Sequence, residues 1–273
     1  MENRNIFQIF YASDRGKVRW ENEDNFYIDG AGIRNISESC AAGQLIRKPP
    51  FICAVFDGMG GEECGQKASR EAARYLMDYS RRLADSRSVT ERLEETAEGM
   101  DWEVRMMLAD EEARSGGTTC AGLVFQDLRL ARFWIGDSRI YCLREGTLSL
   151  LTKDHTAAQR EIDKGRMTEE EARRSRMWHM LLRFLGMGRP KMIETEISEI
   201  QEGDIFLLCS DGLTDMCSGE EIKKILEESK DGEERQPAKA LIQAALDNGG
   251  RDNVTAIVIE VREDGGYDKK EDQ

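Results

Sequence analysis

The chain has 273 residues, 40% of them hydrophobic and 34% charged, a length that suits one large domain and can bury a sizeable core. Aspartate and glutamate number 53 against 39 lysines and arginines, and the net charge of −14 argues against nucleic acid or an anionic membrane surface as a partner. The seven cysteines form no Cys-x-x-Cys pair and there are only two histidines, so we expect reduced, mostly packed thiols rather than disulfides or a histidine-rich metal site.

Short apolar or alternating runs predict a framework of strands. In chain order they lie at residues 6–12, 25–28, 51–56, 119–126, 129–135, 140–144, 193–197, 204–209 and 254–261. Apolar residues at helical spacing predict long helices at residues 62–83, 89–113, 220–228 and 237–246. Short polar or glycine-containing turns within 124–130 and 140–150 predict hairpins. Helices between antiparallel strands indicate an α+β fold rather than a parallel sheet.

The sequence also predicts how the chain is divided. One domain is expected over residues 1–262, followed by a polar tail at 263–273. A charged helical stretch at 153–176 leads into an apolar segment, and together they are expected to form a lobe of this domain at about 153–192. No window approaches an apolar membrane span, and the first residues lack a basic region followed by a long apolar stretch. We therefore expect a cytoplasmic protein with no membrane partner; a monomer is also expected.

The strand predicted at 51–56 ends on an ionisable side chain, Asp57, in the sequence FICAVFDGMGGEECG. An unpaired buried carboxylate is costly, so Asp57 should have a hydrogen-bond partner, an ion-pair partner or a metal. The pattern recurs where DIFLLCSDGL runs from an apolar strand into Asp211. A single Asp-Gly is most often a turn, but the repeated ending suggests one shared site.

Four acidic clusters lie at predicted strand edges or turns. They are Glu23 with Asp24 in RWENED, Asp57 in FDGMGG, Asp211 in CSDGL and Asp252 in GGRDNVT. Oxygen ligands alone select hard cations such as Mg²⁺ or Mn²⁺. Each cluster has a simpler interpretation as a cap or a turn when it is taken singly. The prediction of a metal site therefore depends on the four clusters together.

Seven motifs span nearly the whole chain: SDRGKVRWENEDNFYI, VFDGMGGEECGQKAS, GGTTCAGLVF, FWIGDSRIYCLREGTLSLLTKDHT, RFLGMG, GDIFLLCSDGLTD and NGGRDNVTAIVI. In this order they resemble the protein phosphatase 2C family of metal-dependent serine/threonine phosphatases, particularly its bacterial-type members. The resemblance implies a β-sandwich of two packed antiparallel sheets flanked by antiparallel helices, in four α-β-β-α layers. It also implies a two-metal site at one edge of the sandwich.

The resemblance assigns metal ligands residue by residue. Asp57 would bridge two ions, and the glycines after it would let backbone approach them, with the Gly58 carbonyl as a further ligand. Glu23 would complete the shell of one ion, and Asp211 and Asp252 would hold the other. The cofactor would be two Mn²⁺ or Mg²⁺ ions, whose shared water would attack phosphorus without a covalent phosphoenzyme.

Three further residues acquire roles through the resemblance. Arg19, four residues before Glu23, matches the phosphate-binding arginine, whose planar fork suits two phosphate oxygens. Asp24 would orient metal-bound water. Asp137 in IGDSRIY matches a position at which bacterial members hold a third, weaker ion together with Asp211. Gly-Asp-Ser is also good turn chemistry, so a turn without a metal stays open for Asp137.

Other positions depart from the family or carry no motif. Met59 stands where many eukaryotic relatives carry a histidine, so a proton for the leaving group must come from elsewhere, most simply a metal-bound water. His155 is expected to be structural, and His179 is assigned no function. The lobe is rich in arginine, and these side chains either contact phosphoprotein substrates or pair with neighbouring glutamates. The arginines are Arg160, Arg166, Arg173, Arg174 and Arg176. Residues 30–50 show no interpretable motif.

The sequence therefore predicts a metal-dependent phosphatase that hydrolyses phosphoserine and phosphothreonine in proteins, with Arg19, Asp24 and Asp57 in catalytic roles. Its partners would be phosphorylated proteins and, by family analogy alone, a serine/threonine kinase. One alternative is a catalytically silent scaffold that binds phosphoproteins on the same fold, although a scaffold does not need a full ligand set. Another is a hydrolase of a different phosphoester, such as a nuclease, which the net charge disfavours.

Overall fold

Fourteen strands occur in the described part of the chain, and most of them belong to two antiparallel sheets. The computed structural model describes residues 5–35, 37–60, 64–84, 88–113, 115–126, 128–189, 193–228 and 235–263. The strands are β1 (Asn5–Asp14), β2 (Asn25–Ile28), β3 (Gly32–Ile33), β4 (Cys40–Arg47), β5 (Phe51–Phe56), β6 (Gly58–Met59), β7 (Gly117–Thr118), β8 (Cys120–Gln126), β9 (Arg129–Ile135), β10 (Arg139–Arg144), β11 (Thr147–Leu150), β12 (Glu194–Glu199), β13 (Ile205–Cys209) and β14 (Val254–Glu263).

The strand order brings the ends of strands that are distant in sequence to one edge of the sandwich. The first sheet has the order β11-β10-β13-β14-β1-β4 and the second has β12-β9-β8-β5-β2-β3. In the first sheet Cys209 at the end of β13 lies opposite Ala256, near the start of β14. In the second sheet Phe56 at the end of β5 lies opposite Asn25 at the start of β2. The residues that follow or precede these strands therefore collect at one edge.

Strand β5 shows why its sequence is apolar throughout. Phe51, Cys53 and Val55 point into the layer between the two sheets. Ile52, Ala54 and Phe56 point to the opposite face, towards helices. Successive residues of a strand face opposite sides, so a strand covered on both faces needs apolar residues at every position. Ring contacts reinforce the inner layer, where Phe51 stacks on Phe125 with ring centroids 4.5 Å apart.

Helices cover the outer face of each sheet. The helices are α1 (Cys64–Ala84), α2 (Val89–Asp110), α3 (Ala157–Asp163), α4 (Glu169–Arg173), α5 (Asp211–Thr214), α6 (Gly219–Glu228) and α7 (Pro237–Asp247). Helices α1 and α2 pack on the second sheet, whereas α5, α6 and α7 pack on the first. The four-layer α-β-β-α arrangement predicted from the sequence is confirmed.

Most predicted elements are confirmed, including three strands with unchanged bounds: β2, β5 and β9. The predicted hairpins are present as β8 with β9 and β10 with β11. Six of the seven cysteines are buried and all are free thiols, as expected. Within the described residues, no helix combines the length and apolar character required to cross a membrane. The predicted tail lies outside the described residues apart from Glu263, which ends β14.

One expectation is corrected. The stretch 153–176 is not one helix, because the chain turns between α3 and α4 through Gly165, whose φ of +65° favours glycine.

Residues 30–50, which gave no motif, contain the edge strand β4. This strand alternates between exposed and half-buried residues, so its pattern lacks a strong apolar face. It pairs with β1 over eight residue pairs.

Candidate active site

A cavity of about 780 Å³ opens at the edge of the sandwich where these strand ends meet. Acidic side chains dominate its wall. The carboxylates that line it are Glu23, Asp57, Asp137, Asp211, Asp215 and Asp252. The guanidinium groups that line it are those of Arg19, Arg173 and Arg251. The four acidic clusters predicted to form one site therefore do converge, although Asp24 is not part of the wall.

Asp57 is fixed by the backbone around it. Its N–H donates to Thr119 Oγ1 at 2.9 Å, and its carbonyl accepts from Thr119 N and from Thr118 Oγ1, each at 2.9 Å. These bonds hold the strand end and aim the side chain into the cavity. Burial raises the pKa of the Asp57 carboxyl well above its usual range, and the charges of Asp24 and Asp211 raise it further. An added cation would relieve this repulsion.

Glycine is required directly after Asp57. A Cβ built at Gly58 would meet the carbonyl oxygen of Gly65 and lie 2.6 Å from that of Glu23. A Cβ at Gly65 would lie 2.6 Å from Glu23 Oε1. The first turn of α1 thus packs directly on the two acidic segments, so no side chain fits at position 58, and a side chain at position 65 would displace the Glu23 carboxylate. The use of the Gly58 carbonyl as a metal ligand stays a prediction.

The segment that carries Glu23 is held from two sides. The Glu23 N–H donates to Asn253 Oδ1 at 2.8 Å, and the Glu23 carbonyl accepts from Ser69 Oγ at 2.5 Å. Asn253 Nδ2 also donates to the carbonyls of Arg15 and Glu21, at 2.9 and 2.7 Å. Residues 15–23 are therefore tied to the segment of Asp252. Burial raises the pKa of the Glu23 carboxyl.

Arg34 is a fully buried cation that the sequence analysis missed. Its Nε donates to the Asp24 carbonyl at 2.8 Å, and its Nη2 donates to the Asn22 carbonyl at 2.5 Å. Its Nη1 donates to the carbonyls of Asn35 and Glu38, at 3.1 and 2.5 Å. One guanidinium group thus clamps the backbone on both sides of Glu23. No sequence signal pointed to it, because its partners are backbone groups.

Asp24 lies behind the cavity wall and is completely buried. Its Oδ2 accepts from Ser210 Oγ and from Thr255 Oγ1, both at 2.7 Å. Its Oδ1 has no hydrogen-bond partner among the described residues. Burial raises the pKa of the Asp24 carboxyl to about 7, although the hydrogen bonds from the two hydroxyl groups lower it. Asp24 therefore links the segment of Glu23 to Ser210, which directly precedes Asp211, and to Thr255 in β14, which begins two residues after Asp252.

A short helix places two carboxylates one turn apart. Asp211 is the first residue of α5 and Asp215 follows its last, a spacing that puts both on one face. His179 from the lobe lies between them, with Nδ1 3.5 Å from Asp211 Oδ2 and Nε2 3.5 Å from Asp215 Oδ2. The hydrogen bond to Asp211 raises the pKa of His179 to about 9. The sequence gave His179 no role, and the spacing in DGLTD was the signal that could have identified Asp215.

Asp137 lies in a turn and also lines the cavity, so the choice between a metal ligand and a turn without a metal stays open. The preceding Gly136 has a φ of +100°. Its N–H donates to His155 Nδ1 at 3.1 Å, and its carbonyl accepts from the His155 N–H at 2.9 Å. Burial lowers the pKa of His155 to about 4, so it is neutral and supports this turn, as expected of a structural residue. Burial and the charge of Asp211 raise the pKa of Asp137.

Arg19 lies at the mouth of the cavity beside Asp252. Its Nη2 is 2.6 Å from Asp252 Oδ2, and about half of its side chain is exposed. Burial and the charge of Asp211 raise the pKa of Asp252, although the bond from Arg19 lowers it. The exposed guanidinium group can therefore meet an anionic ligand that enters from solvent.

These residues suit divalent cations. The predicted ligands offer oxygen atoms, six carboxylates line the cavity against three arginines and His179, and burial raises the pKa of Asp57, Asp137 and Asp252. Hard cations such as Mg²⁺ and Mn²⁺ bind such a donor set and remove the repulsion within it. A cavity with this lining and an arginine at its mouth can bind a phosphate group next to metal ions.

Comparisons with known proteins identify a family and named relatives. Residues 28–247 match the family described as Protein phosphatase 2C. Over 259 residues, 94% of this chain, the sequence is 36% identical to the serine/threonine protein phosphatase PstP of Mycobacterium tuberculosis, of which the chain spans 45%. Over 254 residues it is 30% identical to the serine/threonine phosphatase stp of Listeria innocua, covering 92% of this chain and 94% of that protein.

A solved structure has the same fold. The crystal structure of the PstP catalytic domain in complex with two manganese ions has a TM-score of 0.77 to this structure, at 32% identity. The match covers 95% of this chain and 100% of that one. This chain therefore corresponds to the catalytic domain of a relative that is more than twice as long.

Proposed function

The chain belongs to the protein phosphatase 2C family, and from this membership we propose that it is a metal-dependent protein serine/threonine phosphatase. The observation that carries the proposal is the convergence of six carboxylates on one cavity with Arg19 at its mouth. A scaffold that only binds phosphoproteins has no need to gather carboxylates that raise one another's pKa, because such a cluster repels a phosphate group when no cation is bound.

Two divalent ions are the proposed cofactor. The residues that would hold them are Glu23, Asp57, Asp211, Asp252 and the Gly58 carbonyl. When bound, Mg²⁺ or Mn²⁺ lowers the pKa of a coordinated water and neutralises negative charge that develops on the phosphoryl group. Asp137 and Asp211 would hold a third, weaker ion. The raised pKa values of Asp57 and Asp137 support these roles, since both carboxyls lack a compensating charge strong enough to restore their usual pKa.

The protein's own groups orient the substrate and keep the site rigid. Arg19 would bind two phosphate oxygens through its planar fork, and its bond to Asp252 sets the direction of that fork. Asp24, which the resemblance assigns to orienting metal-bound water, does not line the cavity; by accepting hydrogen bonds from Ser210 and Thr255 it would also hold together the segments that carry the ligands. The phosphorylated serine or threonine would enter the cavity from solvent, with its peptide lying across the mouth.

The test combines turnover with metal binding. The protein should hydrolyse a phosphothreonine peptide with Mn²⁺, stop in EDTA, and bind two Mn²⁺ ions by calorimetry after the chelator is removed. Full turnover in EDTA together with no Mn²⁺ binding would contradict the two-metal site. Binding of the phosphopeptide by the Mn²⁺-loaded protein without any turnover would favour the scaffold.

Several finer statements stay predictions from the sequence. These are the cytoplasmic location, the kinase partner, the monomeric state and the division into a phosphatase domain at 1–262 with a lobe at 153–192. The contacts of Trp178 and His179 with the cavity support the placement of this lobe beside the site.

A further inference from the structure

One arginine of the lobe reaches the cavity, and its neighbour does not. Arg173 and Arg174 are consecutive on α4, and each pairs with a glutamate four residues earlier. The Arg173 Nη2 to Glu169 Oε1 distance is 2.9 Å, and the Arg174 Nη2 to Glu170 Oε1 distance is 2.7 Å. Only Arg173 of the two lines the cavity. Both arginines therefore pair with a glutamate, but only Arg173 is also placed to contact a ligand in the cavity.

Stacking and hydrogen-bond contacts hold the Arg173 side chain at the cavity wall. Its Cζ lies 4.7 Å from the centroid of the Trp178 ring. Trp178 Nε1 donates to Asp215 Oδ1 at 3.1 Å, which fixes the ring beside the carboxylates. The buried Arg139, paired with Asp154 at 2.6 Å, also lies over this ring, with Cζ 5.5 Å from the centroid. Stacking on an indole ring restrains a guanidinium group without neutralising its charge.

The charge of Arg173 remains available to a ligand. Its side chain is 45% exposed, and that of its partner Glu169 is 66% exposed. Pairs of this kind on a helix surface are weak, about 0.3–0.5 kcal/mol, and are screened by salt. A carboxylate that is brought to Arg173 by other binding contacts can therefore replace Glu169. The planar fork of arginine suits two carboxylate oxygens.

The cavity is large enough for more than one side chain. Cavities of roughly 300–1,000 Å³ hold drug-sized molecules. A cavity of about 780 Å³ therefore has room for a phosphorylated side chain and part of a neighbouring residue. The lobe supplies the wall on which that neighbour would lie.

We propose that Arg173 is a specificity-determining residue that binds an acidic side chain next to the phosphorylated residue of a protein substrate. The proposal rests on the proposed phosphatase function. Arg251 also lines the cavity, but it directly precedes Asp252, so its replacement would disturb a proposed metal ligand. Arg173 is separate from those ligands in sequence and offers Arg174 as a matched control.

The experiment uses three phosphothreonine peptides that differ only in the residues flanking the phosphothreonine: glutamate, glutamine or lysine. The parent with Mn²⁺ should prefer the glutamate peptide to the glutamine peptide by about threefold to tenfold in kcat/KM, through KM. Arg173→Gln should abolish this preference, and Arg173→Glu should reverse it in favour of lysine. Arg174→Glu makes the same charge change one residue away and should keep the order of the parent. Ratios within one variant do not depend on its basal turnover.

Each outcome decides a different question. Loss or reversal of the preference in the Arg173 variants alone supports the proposal. A parent that hydrolyses all three peptides equally, or an equal shift with Arg174→Glu, overturns the role of Arg173 and leaves the phosphatase function intact. A parent that hydrolyses neither the peptides nor p-nitrophenyl phosphate with Mn²⁺ overturns the phosphatase function and this proposal with it.

Discussion

Replacing Asp24 with asparagine should stabilise the metal-free protein at alkaline pH. The pKa of this carboxyl rises from 3.8 to about 7 because it is buried. In the unfolded chain the Asp24 carboxyl therefore loses its proton near pH 4, whereas in the folded chain it keeps the proton until about pH 7. Since the folded state binds more protons between these values, stability falls as the pH rises through this range. Above pH 7 the penalty is complete, at roughly 4 kcal/mol.

Asparagine carries no charge and avoids this penalty, but it has a cost of its own. Its Oδ1 can accept the bonds from Ser210 and Thr255, which leaves its amide group where Asp24 Oδ1 has no described partner. An unpaired buried donor costs about 1–3 kcal/mol. The expected net gain for Asp24→Asn at pH 8 in EDTA is therefore about 1–3 kcal/mol.

Urea unfolding in EDTA at pH 8 and pH 5 measures this effect. At pH 5 the parent penalty falls below about 2 kcal/mol, so the advantage of the variant should largely vanish. Asp204→Asn is the matched control, because Asp204 is equally buried but accepts two 2.7 Å bonds from Arg144. That control should lose stability at both pH values. The reasoning fails if Asp24→Asn is no more stable than the parent at pH 8, or if its advantage is the same at pH 5.

Three further predictions test the rest of the site. Asp57→Asn should abolish Mn²⁺ binding by calorimetry and lower kcat/KM at least about a thousandfold. The metal-free variant should melt no lower than the metal-free parent. Near-parental activity with parental metal binding would show that Asp57 is not part of the site. Asp137→Ala should lower turnover at limiting Mn²⁺ while calorimetry still finds two tight sites, and unchanged kinetics would favour a turn without a metal. Arg34→Lys keeps the charge but cannot reach four carbonyls, so urea unfolding should show a loss of about 2–3 kcal/mol together with weaker Mn²⁺ binding. Unchanged Mn²⁺ affinity in a destabilised Arg34→Lys protein would make the clamp purely structural.

The residue pattern by itself determined the strands, the helices and the acidic residues at strand ends, whereas the layers and the ligand roles followed from the resemblance of the ordered motifs to a family. Strand β5 is apolar at every position because both of its faces are covered, and the same run ends in Asp57. Ligands at strand ends could be predicted because the strand ends and the acidic residues are both local features. The ordered motifs, from the segment of Arg19 to that of Asp252, indicated the family.

The tertiary structure decided which other groups meet these ligands. Arg34 is separated from the motifs in sequence and binds backbone carbonyls, so no residue pattern records its partners. Arg173 and Arg174 lie in a stretch whose local sequence predicts only a charged helix, and His179 lies in the apolar segment that follows it. Which of two adjacent arginines faces the cavity depends on the packing of Trp178 against Asp215 and Arg139. Periodicity in a sequence reports which side of an element is buried, whereas contacts between distant segments form only when the whole chain has folded.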